Sequence, residues 1–448
     1  MVNRQGEIGI WPANRTLIPL AESGHEMGKH AERLTRQRSQ AAMAANCRSA
    51  RRRCTCGWLV LALCCAGTGS AGEVSLLQQA KQACPDVVKN ARAAAEAALL
   101  DGPFTVMDKI ELPPSGDRHD FATLSPYYWP NPDRGDGLPY VFRDGQLNPE
   151  ASSDKYDRVR YFAMGDAVKA CAVGYRLFGE RRYADHAARL LRTWFLDPAT
   201  RMNPHLKHAQ QVPGKSEGSQ TGIIRGMLIV ELVDAARDLE GSKSWTADDQ
   251  SRWRAWLSDY LDWLRDSDLG RREARAFNNH STWYDVQLAT LAIACGRREI
   301  AIDVVRQVGP RRIAPQIRPD GRQPMELMRT KSWDYSVMNL EGLFALAEQG
   351  QLVDVDLWRW EDDEGRSLRR ALDYLIPFAT GDAAWPGKQI REFEPGKLYP
   401  LLLRAHEAYE APKYAEAITR LSDFDPSKSP ETLSWMLRGA RRSDDSAE

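Results

Sequence analysis

Apolar residues recur at helical spacing along most of the chain, whereas the alternation typical of strands is scarce. From about residue 158 to residue 436 these positions form a succession of amphipathic segments. Four glycines follow such segments, as residues that end helices do: Gly179, Gly241, Gly296 and Gly350. We predict an all-α fold with helices over residues 158–178, 181–196, 221–240, 247–266, 280–295, 298–308, 333–349, 366–379, 397–410 and 412–422.

The region before residue 158 divides into one helix and one long loop. Residues 74–100 are rich in Ala, with apolar residues at helical spacing, and predict a first helix. Residues 103–149 contain eight prolines and many Gly and Asp residues, a composition typical of loops. A loop this long inside a compact domain is usually functional. We therefore predict that it lines a cleft with Tyr127, Tyr128 and Trp129.

Residues 43–71 have the charge pattern of an export signal. Three arginines at residues 51–53 precede an apolar run, and small residues follow it up to Ala71. The run is too short to span a bilayer as a helix, so we expect no stable membrane insertion. We predict cleavage near Ala71, a periplasmic or secreted protein, an N-terminal extension plus signal over residues 1–71, and a single domain over residues 72–448.

The charge balance changes when the signal is removed. The sequence has 61 basic and 61 acidic residues, and residues 1–71 hold ten of the basic and four of the acidic ones, so the remainder has a net charge of −6. This disfavours nucleic acid as a partner. A polyanionic substrate would require a locally basic cleft. Cys84, Cys171 and Cys295 remain after cleavage, an odd number that does not form a disulfide framework.

Two short stretches, residues 278–284 and 329–335, carry four types of side chain that suit the β-elimination of a 4-linked uronic acid. Such a reaction must neutralise the carboxylate, remove the C5 proton and protonate the leaving oxygen. An amide and a guanidinium can stabilise the developing charge, which fits Asn279 and Arg329. A phenol or imidazole can transfer protons, because nearby positive charge lowers the pKa of a tyrosine. His280 and Tyr335 fit that role.

Further motifs accompany these residues in a fixed order. The segment SPYYWPNP at residues 125–132 is followed by LPY at 138–140 and RDGQLNP at 143–149. The sequence EGSQ at residues 217–220 then precedes the pair Asn279-His280. Arg329 follows, and Tyr335 lies six positions after it. Together the motifs span about residues 120–345 and resemble the alginate lyase superfamily.

This resemblance implies an α/α toroid of paired antiparallel helices and a polysaccharide lyase without a metal or other cofactor. It implies Asn279 and Arg329 as carboxylate neutralisers and His280 and Tyr335 as the acid–base pair. The substrate would be an acidic, 1,4-linked polyuronate, either alginate (polymannuronate) or glucuronan, and we expect a monomer. Because Tyr335 is followed by Ser336 and not by His, the chain is more similar to mannuronan or glucuronan lyases than to the best-known bacterial alginate lyases.

Other residues have two interpretations each. Asn278 fits either an N-cap or an anion site at the start of a helix. Tyr128 and Trp129 are interpreted as cleft residues, and Trp283 fits the cleft as well as a core. Arg225 fits contact with substrate or a structural ion pair, for example with the candidate binding residue Glu217.

The sequence is also compatible with two other functions and offers one candidate metal site. A toroidal glycoside hydrolase would need two carboxylates at glycosidase spacing, for which Glu217 and Glu326 are candidates. A non-catalytic polysaccharide-binding protein would lack the acid–base pair, which is present here. His205 and His208 have a zinc-like spacing but no nearby Cys or carboxylate in sequence, so we predict no metal.

Overall fold

The computed structural model of the protein describes residues 76–445, and the predicted extension and export signal lie outside these residues. Helices dominate the described part of the chain, which confirms the all-α prediction. The α-helices are α1 (Leu76–Ala83), α2 (Pro85–Ala98), α3 (Arg158–Phe178), α4 (Arg181–Leu191), α5 (Met227–Arg237), α6 (Ala247–Asp266), α7 (Asp268–Glu273), α8 (Asn279–Ala294), α9 (Arg298–Val308), α10 (Ala314–Gln316), α11 (Pro324–Leu327), α12 (Ser332–Leu352), α13 (Leu368–Ala379), α14 (Tyr399–Tyr409), α15 (Pro412–Arg420) and α16 (Pro430–Asp445).

Shorter elements connect these helices. The strands are β1 (Ala122–Leu124), β2 (Tyr128–Trp129), β3 (Val141–Phe142) and β4 (His208–Gln211). Strands β1 and β4 pair in parallel, and β2 and β3 pair antiparallel. Short segments of 3₁₀ helix span Val106–Asp108, Pro149–Ser152, Gln220–Gly226, Pro395–Leu398 and Pro426–Lys428, and π-helical turns span Arg192–Leu196 and Gly309–Ile313. The rest of residues 103–149 is loop, as predicted.

The single first helix predicted over residues 74–100 is wrong, because the chain forms two helices there. Cys84 leaves the helical region with φ −148° and ψ 65°, and α2 begins at Pro85. Proline lacks the N–H that would continue a helix, and it disfavours helical backbone in the residue before it. A strong composition signal therefore located the segment but not its break.

Gly350 was also predicted to end a helix, whereas α12 continues to Leu352. The backbone of the following loop explains this glycine. A Cβ atom at Gly350 would lie 2.4 Å from the carbonyl oxygen of Val355, whose own N–H donates to the Gly350 carbonyl. Close approach of the chain, and not a left-handed cap, requires glycine here.

Helices α8 and α12 pack against each other and are buried on most sides. Residues of α8 contribute to both large apolar clusters, one built mainly from the chain up to α8 and the other mainly from α8 onward. The indole Nε1 of Trp283 donates to the carbonyl of Met338 at 3.1 Å and links the two helices. Both helices therefore have fixed N-termini. Within residues 76–445, no helix is long and apolar enough to cross a membrane.

Candidate active site

A cavity of about 2040 Å³ lies between the helices. One part of its wall is formed by the proline-rich loop (residues 103–149), β4, the 3₁₀ turn Gln220–Gly226 and the N-terminal ends of α8 and α12. The four residues predicted to carry the chemistry all lie on this wall: Asn279, His280, Arg329 and Tyr335. The structure thus brings together side chains from two segments that are about fifty residues apart in sequence.

The first two residues of α8 follow a capped helix start. The Asn278 side chain accepts a hydrogen bond from the backbone N–H of His280 at 3.3 Å, and its backbone is extended. This is the geometry of an N-cap. Asn278 also lines the cavity, so the N-cap interpretation does not remove it from the site.

Glu326 fixes the orientation of Asn279. The backbone N–H of Asn279 donates to one carboxylate oxygen of Glu326 at 2.7 Å, and Nδ2 donates to the other at 2.8 Å. Asn279 is 1% exposed and Glu326 is fully buried. Burial raises the pKa of Glu326, although the hydrogen bonds from Asn279 act in the opposite direction. The amide is therefore held in one place at the helix start.

Glu273, at the end of α7, holds the imidazole of His280. Nδ1 of His280 lies 2.6 Å from the Glu273 carboxylate, which is 1% exposed. This contact places the proton of the neutral ring on Nδ1 and leaves Nε2 for the cavity. Burial lowers the pKa of His280, but the charge of Glu273 and its hydrogen bond outweigh burial, and the pKa is raised above 6.5.

Arg329 and Tyr335 are in direct contact. Nη2 of Arg329 donates to the Tyr335 hydroxyl at 3.0 Å, and the guanidinium carbon lies 4.0 Å from the centre of the Tyr335 ring. The hydroxyl of Tyr335 in turn donates to that of Tyr127 at 3.2 Å. Arg329 precedes α12, so its position before the helix allows the two side chains to converge despite their spacing of six residues.

Asp144 connects the proline-rich loop to this pair. Its carboxylate accepts from Nη2 of Arg329 at 2.7 Å, and from the backbone N–H and hydroxyl of Thr330 at 3.0 and 2.9 Å. Burial raises the pKa of Asp144, but the bonds from Arg329 and Thr330 outweigh it and the pKa is lowered. The carboxylate is therefore ionised at neutral pH and orients the guanidinium.

The positive charge of Arg329 lowers the pKa of Tyr335, as expected, but burial raises this pKa by more. Burial raises the pKa of Tyr335 well above 10, Tyr127 raises it further, and Arg329 lowers it by less. The expectation of a lowered pKa is therefore wrong for this site without substrate. Tyr335 rests as a neutral phenol.

Of the remaining predicted residues, some line the cavity and others do not. Tyr128, Trp283 and Arg225 line it. Trp129 does not, and its Nε1 donates to the carbonyl of Gln146 at 3.0 Å. Glu217 is exposed and does not line the cavity either.

Residues 105–385 match the family described as alginate lyase, which is more than half of the chain. The chain belongs to the alginate lyase family. A crystal structure of an alginate lyase from Bacteroides ovatus is 33% identical, with a TM-score of 0.76, over 80% of this chain and 96% of that one. Alginate lyase A1-III in complex with tetrasaccharide is 16% identical, with a TM-score of 0.47, over 78% of this chain and 93% of that one. No curated protein matches the sequence.

Membership of the alginate lyase family confirms two predictions, namely the α/α toroid and a polysaccharide lyase. The hydrolase alternative has no support in this alginate lyase fold, because neither Glu217 nor Glu326 lines the cavity. Within residues 76–445, no group of three or more His, Cys, Asp or Glu could hold a metal ion. Nε2 of His205 and of His208 lie 3.1 and 3.5 Å from the carboxylate of Asp120.

Three carboxylates of this site are not marked as site residues by the sequence motifs. No motif indicates Glu273 or Asp144, and the sequence indicates Glu326 only as a candidate carboxylate of a glycoside hydrolase. Each is the partner of a predicted residue and orients it. The spacing of Glu326, three residues before Arg329, is the one local signal that could have indicated it.

Proposed function

We propose that the protein cleaves a 1,4-linked polyuronate, alginate (polymannuronate) or glucuronan, by β-elimination. The observation that carries this proposal is the convergence of amide, imidazole, guanidinium and phenol on one cavity wall. The relative from Bacteroides ovatus, described as an alginate lyase, also supports a polyuronate as substrate.

The charges near these groups favour a polyanion. Lys215, Arg225, Arg329 and Lys331 line the same part of the cavity, although residues 72–448 carry net negative charge. Nζ of Lys215 lies 5.4 Å from the ring centre of Tyr128. A basic wall within an acidic protein concentrates an anionic polymer at the site.

In the proposed mechanism, Asn279 and Arg329 bind the carboxylate of the uronate that reacts. The C5–H bond breaks, its proton passes to a base, and its electron pair forms the C4–C5 double bond. The C4–O bond breaks at the same time, and the leaving oxygen receives a proton. Neutralising the carboxylate lowers the energy of the transition state, because negative charge develops on its oxygens.

His280 and Tyr335 are the proposed acid–base pair. Nε2 of His280 has no hydrogen-bond partner among residues 76–445, and the raised pKa of Tyr335 keeps its proton available. When the C5 proton and the leaving oxygen lie on one face of the sugar, a single group can take the proton and return it. When they lie on opposite faces, each residue performs one step.

We also propose that the protein acts as a monomer outside the cytoplasm and that residues 72–448 form one domain. The export pattern of residues 43–71 supports this location. A polymer of sugar acids is too large to enter a cell by diffusion, so a lyase acting on it is useful where the polymer is found.

The purified protein should be incubated with polymannuronate, polyguluronate and glucuronan while the ultraviolet absorbance of the unsaturated product is followed. We expect absorbance to rise on at least one polymer, and Tyr335→Phe and His280→Ala each to lower kcat by about 10²–10⁴-fold. Arg359→Gln, at an exposed residue outside the cavity, is the control. New reducing ends without the chromophore would indicate hydrolysis, and binding without turnover a non-catalytic protein.

A further inference from the structure

Arg225 is a buried cation without an acidic partner. It lies in the 3₁₀ turn Gln220–Gly226, lines the cavity and is 7% exposed. Its guanidinium forms no ion pair and no hydrogen bond with residues 76–445, and Nε is buried without a partner. The guanidinium carbon lies 5.6 Å from the ring centre of Phe162. The structural ion pair considered for Arg225, for example with Glu217, is therefore absent from the described chain.

An unpaired charge in such a place is costly, because burial removes water without supplying a counter-ion. Burial lowers the pKa of Arg225 to about 10, although the phenols of Tyr127, Tyr161 and Tyr335 raise it. The group thus remains charged at neutral pH. Since no residue of the described chain balances this charge, an anion from outside is the natural partner.

A second side chain on the same wall supports an anion site. Gln210 lines the cavity with φ at +54°, a left-handed backbone that non-glycine residues adopt at a cost. Its Oε1 accepts from the hydroxyl of Thr221 at 2.9 Å, so the amide nitrogen is turned away from Thr221. That nitrogen has no hydrogen-bond partner among residues 76–445. Arg225 and Gln210 therefore both present donors on this wall that have no partner among residues 76–445.

This anion site lies near Tyr335, and its residues differ from Asn279 and Arg329, which are proposed to bind the carboxylate of the reacting uronate. Tyr335 receives a hydrogen bond from Arg329 and interacts electrostatically with Arg225 at longer range. In a polyuronate every sugar carries a carboxylate, so a chain that places one carboxylate on Arg329 brings a second one nearby. We propose, on the basis of the proposed function, that Arg225 and Gln210 bind the carboxylate of the uronate next to the one that is cleaved.

The proposal predicts that productive cleavage requires two adjacent free carboxylates. A polyuronate in which a random fraction of the sugars has been reduced to neutral sugars tests this. The reacting sugar must keep its carboxylate in every case, because that group makes the C5 proton acidic. The initial rate should therefore fall with the square of the acidic fraction for the native protein, and with its first power for Arg225→Gln.

On the unmodified polymer, we expect Arg225→Gln to raise KM at least tenfold and to change kcat by less than threefold. Arg225→Lys should retain part of the second-power dependence, and its melting temperature checks that the turn still folds. Arg359→Gln is again the control. A first-power dependence in the native protein, or a second-power dependence in Arg225→Gln, would overturn the proposal.

Direct binding separates this proposal from the lyase function. Calorimetric titration with uronate trisaccharides, either fully acidic or reduced at one sugar, needs no turnover. The native protein should lose at least tenfold in affinity when the neighbouring carboxylate is absent, and Arg225→Gln should lose less than threefold. If the native protein binds both trisaccharides equally, Arg225 does not bind a second carboxylate, whether or not the protein is a lyase.

Discussion

The Glu273 carboxylate lies 2.6 Å from Nδ1 of His280 and is almost completely buried. A buried carboxylate at this distance does two things to an imidazole. It selects the tautomer in which Nε2 is available to accept a proton, and it stabilises the charged ring. The second effect outweighs burial, so the pKa of His280 is raised.

Replacement of Glu273 by Gln therefore has a predictable sign at the residue scale. Glutamine keeps a hydrogen-bond acceptor for Nδ1 but removes the charge, so the pKa of His280 should fall. If neutral His280 is the base, the native kcat/KM should rise with pH through a pKa above 6.5. This acidic limb should move to lower pH in Glu273→Gln, while the high-pH plateau changes only a few-fold.

The pH profile of kcat/KM measures this directly, since it reports groups of the free enzyme. Glu299→Gln, at an exposed carboxylate, is the matched control and should leave the limb in place. An unchanged limb in Glu273→Gln would show that His280 is not the group that titrates.

At the residue scale, motifs in the sequence mark the four candidate residues of the site but not the partners that orient them. The predicted residues Asn279, His280, Arg329 and Tyr335 reach one cavity wall. The partner carboxylates lie 7, 47 and 185 residues away in sequence, at Glu273, Glu326 and Asp144. Neither Glu273 nor Asp144 carries a local signal of the side chain that it will contact, because folding alone decides that contact.

At the scale of elements, the proposed catalytic groups lie at or just before the N-terminal ends of α8 and α12. The helix dipole makes such ends favourable for anions. Periodicity predicted both helices to within three residues at each end, with starts at 280 and 333 against the observed Asn279 and Ser332. Periodicity missed the break at Pro85, for which the proline itself is a local signal. It could not predict the continuation through Gly350, because the close approach of the later Val355 backbone explains that glycine.

The cap of α8 can be tested apart from its contact with substrate. Asn278→Ala should lower the free energy of unfolding by about 1 kcal/mol, because the N–H of His280 loses its acceptor. Asn278→Ser should restore most of that stability, since serine is also a good N-cap. Denaturant unfolding measures both variants.

Activity of the two Asn278 variants then separates the two interpretations of this residue. If Asn278 is only a cap, Asn278→Ser should match the native KM and kcat. If its amide also binds substrate, Asn278→Ser should be stable but show a raised KM. Equal stability of Asn278→Ala and the native protein would contradict the N-cap assignment.

At the scale of the whole molecule, the site forms where distant parts of the chain meet. The proline-rich loop precedes α3, whereas Arg329 and Thr330 precede α12, and Asp144 joins them through three hydrogen-bonding groups. Helix α8 contributes to both large apolar clusters, which fixes its position in the cavity wall beside the proline-rich loop. The family resemblance covers this whole arrangement, which is why the toroid was predictable although no exact repeat is visible in the sequence.

Asp144→Asn should therefore loosen the loop and disorient Arg329 together. We expect KM for the polymer to rise about tenfold or more and the loop to be cleaved faster by protease, with a smaller change in kcat. The lowered pKa of Asp144 gives the sign of the pH dependence: its stabilising contribution is present above about pH 3.8 and is lost as pH falls through the lower folded-state value. Protection of the native loop should accordingly decrease in acid, and Asp144→Asn should be unprotected at every pH.

Asp133→Asn, at an exposed residue of the same loop, should behave as the native protein. Equal protease sensitivity of the native protein and Asp144→Asn would mean that the loop is held by its other contacts, and that Arg329 needs no carboxylate to stay in place.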